Sequence, residues 1–152
     1  MKPRIHAETS LVRGCEEHQF RDYSCRLIAQ FAQGESTLAL SELTLRELEE
    51  APEVVRWVSA SVPEGGIERL QLTREADELA RAYTQESVVS ERMIVDAQHI
   101  TLATVARVDV LVSWNFNHIV NPRRIHAYNT VNLKRGYPLL EIRSPREVLG
   151  DE

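Results

Sequence analysis

The sequence lacks the features of secreted, membrane-spanning and zinc-stabilised proteins. Only two cysteines, Cys15 and Cys25, occur in 152 residues, and no CxxC motif or Cys/His quartet accompanies them. We interpret both as ordinary thiols. No apolar run approaches the roughly 18 residues of a transmembrane helix, and residues 1–10 lack the apolar region of a secretory signal. These absences predict a cytoplasmic protein without membrane contact.

Positive charge is also scarce. The formal net charge is −5, which argues against a simple basic module for nucleic acids. The charge is uneven, because residues 1–118 carry −7 and residues 119–152 carry +2. The positive segment is either a solvated surface or a weak phosphate-attracting patch beside an acidic site. Its basic residues are Arg123, Arg124, Lys134, Arg135, Arg143 and Arg146.

The motifs of several common enzyme classes are missing as well. The chain contains no Walker A, GxGxxG, GxSxG or HExxH pattern, which removes sequence support for those nucleotide-binding and hydrolase chemistries. The chain does have 43% hydrophobic residues, enough for a packed core. Its length predicts a single domain over residues 1–152.

Strand-like and helix-like segments alternate along the chain. Strands are predicted at 4–8, 36–41, 67–73, 108–113 and 139–144. Helices are predicted at 17–34, 41–52, 52–62, 74–88, 90–107 and 121–138, with a short helical tail at 144–150. This alternation predicts right-handed βαβ units. The expected fold class is α/β, a three-layer α/β/α sandwich around a mainly parallel sheet, with strand 67–73 near an edge.

Polar residues follow two of the predicted strands. The apolar strand 108–113 runs directly into Trp114, Asn115, Asn117 and His118, where a plain loop would carry Gly or Pro. Ligand sites of parallel sheets lie outside the carboxyl ends of the strands. Glu8 follows the first strand, so Glu8 and Asn115 should share one edge. Asp109 precedes its strand and is excluded, because it should lie at the opposite edge.

Two further acids are candidates by position. Glu47 lies on the helix after the second strand, and Asp96 lies in the first turn of a later helix, where the helix dipole favours a carboxylate. Taken singly, each acid is best interpreted as structural or solvated. Three carboxylates and an amide at one edge would repel each other without a cation. Mg²⁺ or Mn²⁺ prefers such oxygen ligands and activates a bound water for attack on a phosphodiester.

The chain resembles PIN-domain proteins, the nuclease fold of VapC-type toxins. Four segments carry the resemblance: AETS at 7–10, SELTLRELEE at 41–50, the long and most specific segment 95–121, and GYPLLEIRSPREVL at 136–149. The closest likeness is to a subgroup with a Trp-Asn-Phe-x-His segment. The resemblance implies an α/β/α fold that binds Mg²⁺ or Mn²⁺ and cleaves single-stranded RNA.

The resemblance also implies the site residues and the partners. The family's quartet of metal-binding, catalytic residues falls on Glu8, Glu47, Asp96 and Asn115. Supporting hydroxyl positions fall on Thr9 or Ser10 and on Ser113. Asn117 and His118, from the polar cluster after the strand 108–113, are further candidates for supporting or substrate contacts. The implied protein partners are an antitoxin and, since homodimers are common in the family, a second copy of the chain.

Two positions depart from the family pattern. Glu8 replaces the commoner Asp, and Asn115 replaces an acid with a neutral amide that can coordinate but cannot act as a base. Three hypotheses follow. The chain is a metal-dependent ribonuclease, a catalytically weak or inactive PIN module that binds RNA or a protein, or a small structural or regulatory α/β protein whose acids are incidental.

Three more side chains have two interpretations each. His99, three residues after Asp96, is either a buried structural residue or a hydrogen-bond partner within the site. His118 either caps the next segment or contacts substrate phosphate. Trp114 either packs in the interior or stacks on a base.

Overall fold

The computed structural model describes residues 2–150 and contains one five-stranded sheet. The strands are β1 (Arg4–Ala7), β2 (Thr37–Ser41), β3 (Ile67–Leu70), β4 (Val110–Val112) and β5 (Glu141–Arg143). They lie in the order β3-β2-β1-β4-β5, and every neighbouring pair is parallel. The predicted α/β class and parallel sheet are confirmed, and β3 lies at an edge as expected.

Eight α-helices connect and follow these strands within residues 2–150. They are α1 (Thr9–Arg13), α2 (Arg21–Ala32), α3 (Glu42–Glu47), α4 (Pro52–Ser61), α5 (Arg74–Gln85), α6 (Ile94–Val105), α7 (Pro122–Lys134) and α8 (Pro145–Val148). Short 3₁₀ turns occupy Gly14–Glu16, Glu64–Gly66 and Glu91–Met93. None of the helices in this part of the chain is both long and apolar enough to cross a bilayer.

Helix caps explain several boundaries. The Ser41 and Thr73 side chains accept the N–H groups of Thr44 and Ala76, so α3 and α5 begin where the sequence predicted. The predicted helix 41–52 was too long, because α3 ends at Glu47 and a turn precedes Pro52. A proline disfavours helical backbone at the residue before it, and Ala51, which precedes Pro52, accordingly has a non-helical ψ of 58°.

Alternating side chains divide the core into two halves, one on each face of the sheet. Ala39 and Leu111 join α5, α6 and α7 on one face. The neighbouring strand residues Leu38, Leu40 and Val112 join α1, α2 and α4 on the other face. This period-two alternation is the one expected of strands, and it produces the predicted three layers.

Trp114 is an interior residue in this fold. Its side chain is only 6% exposed, stacks on Phe20 with ring centroids 4.2 Å apart, and donates from Nε1 to Ser24 Oγ at 3.0 Å. The packing interpretation of Trp114 is therefore confirmed. The indole therefore anchors the loop after β4 to α2.

Gly14 is required beside this anchor for steric reasons, since its φ of −58° suits any residue. A Cβ there would lie 2.8 Å from Trp114 Nε1 and would collide with Ser24 Oγ. We expect Gly14→Ala to lower the free energy of unfolding by roughly 1–3 kcal/mol. Gly65→Ala is the matched control, because a Cβ at Gly65 meets nothing within 4 Å. Urea denaturation of both variants checks this; equal stabilities would contradict it.

The two cysteines lie close together on the α2 side of the molecule. Both are free thiols and partly buried. Burial, and then the neighbouring Cys25, raise the pKa of Cys15 to about 12. The Cys15 thiol is therefore protonated and weakly nucleophilic at neutral pH.

Candidate metal site

The predicted acids surround the point where the strand order reverses. From β1 the chain proceeds outward to β2 and β3, and it then returns to place β4 on the other side of β1. Ligands of open parallel sheets bind at this switch point. Glu8 directly follows β1, and Asn115 follows β4 at the same edge. Asp109 lies at the opposite edge, as predicted, where its carboxylate accepts the Arg4 backbone N–H at 2.6 Å.

Glu8 is buried at this edge and held by three hydrogen bonds. Its Oε1 accepts from Ser113 Oγ at 2.5 Å and from Ser10 Oγ at 2.7 Å. Its Oε2 accepts the Ser10 backbone N–H at 3.2 Å, so Glu8 also caps α1. Ser113 therefore contacts the first acid from the end of β4. These donors stabilise a negative charge that would otherwise be costly to bury.

Glu47 approaches from the end of α3. Its Oε1 accepts from Thr9 Oγ1 and from His99 Nε2, both at 2.6 Å. Arg13 donates to its backbone carbonyl at 2.8 Å. Burial opposes ionisation of this side chain, which is 36% exposed, but the bonds from His99 and Thr9 and the charge of Arg13 outweigh it and lower the pKa of Glu47. Glu47 is therefore ionised at neutral pH.

His99 was the residue most underestimated from the sequence. It lies on α6, is 1% exposed, and shares with Glu8 and Glu47 a space in which one ligand atom from each lies within 4.8 Å of the others. Because an ionised carboxylate only accepts hydrogen bonds, His99 Nε2 must carry the proton in its bond to Glu47. The i, i+3 spacing from Asp96 was the sequence signal that it faces the site.

Asp96 lies one helical turn before His99 and is partly buried. Burial, and then the charge of Glu8 and that of Glu47, raise the pKa of Asp96, while His118 and His99 lower it. Asp96 is therefore close enough to both acids to be repelled by them. Among the described residues, it is not part of the 4.8 Å group.

Asn115 is tied to the acids through Ser113. Its backbone N–H donates to Ser113 Oγ at 2.9 Å, the same hydroxyl that donates to Glu8. Its Oδ1 accepts the His118 backbone N–H at 3.0 Å. A carboxamide oxygen has two lone pairs, so one remains for a ligand. Asn117 is exposed in the turn that follows.

His118 serves partly as the sequence suggested. Its backbone closes the turn, since its N–H binds Asn115 Oδ1 and its carbonyl accepts from Tyr128 Oη at 2.5 Å. The charge of its ring lowers the pKa of Asp96, so the imidazole lies near that carboxylate. Its buried Nδ1 has no hydrogen-bond partner among residues 2–150.

His6 is a further polar residue behind the site that the sequence did not reveal. It lies on β1, fully buried, donates from Nδ1 to the Ala39 carbonyl at 3.1 Å, and has its ring centroid 6.1 Å from that of His99. Burial and the neighbouring His99 lower the pKa of His6 to about 3. His6 is therefore neutral and lies behind His99 in the interior.

The chain's likeness to known proteins lies in its fold. No protein-family model matches the chain, and no curated protein matches it in sequence. In structure it is similar to a chain of VapBC2 from Rickettsia felis, solved bound to a DNA fragment from their promoter. The two superpose with a TM-score of 0.59 over 93% of this chain and 98% of that chain, at 15% sequence identity.

The predicted PIN-like fold is confirmed. At 15% identity the likeness carries the architecture and not the chemistry. The function of this edge of the sheet therefore has to be argued from the side chains that lie there.

Proposed function

We propose that the chain is a metal-dependent ribonuclease of the PIN type that hydrolyses phosphodiester bonds in single-stranded RNA. The observation that carries this proposal is the convergence of Glu8 and Glu47 within 4.8 Å at the switch point, beside Asp96, whose pKa is raised by burial and then by the charges of both acids. Acids arranged in this way at a ligand-binding edge are candidates for function rather than for stability.

The donor set fits Mg²⁺ or Mn²⁺. Hard divalent cations take carboxylate and amide oxygens, and Glu8, Glu47 and Asp96 would hold the ion with Asn115 completing the set. When bound, the ion supplies an activated water and a positive charge for phosphate oxygens. A bound cation would relieve the electrostatic repulsion among these three carboxylates.

Hydrogen bonds from neighbouring residues orient these ligands. His99 and Thr9 both bind Oε1 of Glu47, which leaves Oε2 for the ion. Ser10 and Ser113 fix the Glu8 carboxylate in the same way. Such partners hold a ligand in one orientation and raise metal affinity.

Part of the positive C-terminal segment is available for phosphates. Lys134 and Arg135 bind Glu86, and Arg143 binds Glu141. Arg123 is exposed in the first turn of α7, after the loop that carries Asn115, and Asn121 Oδ1 accepts its backbone N–H. The Arg124 guanidinium, in contrast, donates to the Val88 carbonyl at 3.1 Å. Arg123 is therefore placed to attract the substrate backbone towards the site.

We extend the proposal to a role as the toxin of a type II toxin–antitoxin pair. The similar structure is that of VapBC2 with promoter DNA, and this supports an antitoxin protein as partner, with a homodimer of the chain as a second association. The whole of residues 1–152 would form one nuclease domain acting in the cytoplasm.

Cleavage of labelled single-stranded RNA with and without metal tests the proposal. We expect cleavage in millimolar Mg²⁺ or Mn²⁺, loss of cleavage in EDTA, and recovery when Mn²⁺ is restored. Single-stranded DNA and duplex RNA of the same sequence are the matched substrates. RNA binding without cleavage at any metal concentration would overturn the ribonuclease and favour the binding module, which the neutral Asn115 also permits.

A further inference from the structure

An aromatic side chain is exposed directly beside the candidate metal site. Phe116 follows Asn115 in the loop after β4, and it remains 48% exposed although it is large and apolar. Its ring meets that of Trp114 edge-on, with centroids 6.2 Å apart. The exposed ring is therefore supported from below by a buried one.

Trp114 connects this ring both to the acids and to a longer row of aromatics. The Trp114 backbone N–H donates to Ser10 Oγ at 2.8 Å, and that hydroxyl binds Glu8. On the other side the indole stacks on Phe20 and meets Tyr23 edge-on at 6.0 Å. We call Phe116, Trp114, Phe20 and Tyr23 the aromatic ridge.

Cations lie at the far end of the aromatic ridge. The guanidinium of Arg146 lies 5.3 Å from the Tyr23 ring centroid, and that of Arg26 lies 5.8 Å from it. Arg146 is exposed on α8. Trp114 is buried in the middle of this row, but the rings of Phe116, Phe20 and Tyr23 remain at least partly exposed between the clustered acids and these guanidinium groups. Acids, aromatic rings and guanidinium groups together have the composition of a path for single-stranded nucleic acid.

We propose that Phe116 is the stacking platform for one unpaired nucleobase of the substrate, next to the phosphate held at the metal site. This inference rests on the proposed ribonuclease function and names the group that positions its substrate. Trp114, considered for this role from the sequence, is too buried to accept a base. Phe116 is exposed, meets the buried Trp114 ring edge-on and is one residue from Asn115. A face of its ring would take any base, because every base has a π-surface.

Kinetics of Phe116 variants of the full chain test the platform. We expect Phe116→Ala to raise KM for single-stranded RNA by about 5- to 50-fold with a smaller change in kcat, Phe116→Leu to behave like Phe116→Ala, and Phe116→Trp to stay near the wild type. Leu139→Ala is the matched control, because Leu139 is 64% exposed but precedes β5 at the opposite edge. Its KM should not change.

Substrates with one abasic nucleotide locate the stacked base. One abasic position should raise the wild-type KM as much as Phe116→Ala does, and should add nothing further in that variant. Quenching of a 2-aminopurine at this position, measured by stopped flow in Mg²⁺ before cleavage, should be strong for the wild type and Phe116→Trp and weak for Phe116→Ala. This binding readout needs no cleavage, so it separates failure of the platform from failure of the ribonuclease.

Three results would overturn the inference. The first is an unchanged KM and unchanged quenching in Phe116→Ala. The second is an equal loss in Phe116→Trp and Phe116→Ala with no dependence on abasic position, which would make the ring structural. The third is unchanged RNA binding with lost self-association of Phe116→Ala in light scattering, which would assign the ring to an interface between copies.

Discussion

Asp96→Asn should lower kcat/KM for RNA cleavage by about 10²- to 10³-fold, as for removal of one preorganised group at a reacting centre, without unfolding the protein. The carboxylate at this position is repelled by Glu8 and Glu47, so its loss removes a ligand and also an electrostatic cost. Asp109→Asn, at the opposite edge of the sheet, is the matched control and should keep full activity.

The same variant has an expected stability signature without metal. The folded-state pKa of Asp96 lies above its ordinary value of 3.8, so ionisation of this group destabilises the fold, fully above the folded pKa and not at all well below 3.8. Asp96→Asn should therefore melt higher than the wild type at pH 7 in EDTA, and the difference should disappear as the pH falls below 3.8. A lower melting temperature of Asp96→Asn at pH 7 would contradict the raised pKa of Asp96, which burial and the charges of Glu8 and Glu47 cause.

Bound Mn²⁺ should make the wild type more stable than Asp96→Asn, the reverse of the order expected in EDTA. At a Mn²⁺ concentration of about 100 times its Kd, the wild type should gain about 2.7 kcal/mol of unfolding free energy. Asp96→Asn should gain much less, because it has lost a ligand. Thermal melts of wild type, Asp96→Asn and Asp109→Asn across a Mn²⁺ series measure the effect. An equal Mn²⁺ shift in all three proteins would place the ion elsewhere.

His99→Leu should lower kcat/KM by about 10- to 100-fold, the usual cost of losing a residue that orients a metal ligand. The substitution removes the 2.6 Å bond to Glu47 and should raise the Mn²⁺ concentration needed for half-maximal activity. His99→Gln, which keeps an N–H donor, should recover part of both. A purely structural histidine would change the melting temperature but leave the Mn²⁺ dependence of cleavage unchanged.

The pH profile gives His99→Leu a second readout. In the wild type the bonds from His99 and Thr9 lower the pKa of Glu47, so this carboxylate stays ionised in mildly acidic solution. Without His99 its pKa should rise towards the ordinary value of 4.5. The acid limb of the pH–activity profile should therefore move to higher pH in His99→Leu and less so in His99→Gln.

The parts of the fold that the sequence predicted best are those set by local chemistry. Alternation of apolar runs with caps such as Ser41 and Thr73 located the strands and most helices, and the order of elements implied a parallel sheet. Helix α1 was missed because Thr9–Arg13 covers too few residues for a helical period to be visible. Helix α3 was overextended because its end depends on the backbone before Pro52.

Only those residues of the candidate site that directly follow strands could be placed from the sequence. Glu8 and Asn115 follow strands, so topology alone places them at one edge. The bond between His99 and Glu47 joins residues 52 positions apart on two helices, and no local pattern encodes such a pairing. The choice between Trp114 and Phe116 as the exposed ring likewise depended on how α2 packs against the loop after β4.

A crystal of the wild-type protein soaked in Mn²⁺ tests the central claim most directly. The account predicts one strong anomalous peak at the switch point, about 2.0–2.3 Å from carboxylate oxygens of Glu8, Glu47 and Asp96, with His99 still bound to Glu47. No peak there at saturating Mn²⁺, or a peak on acids elsewhere on the surface, would contradict it.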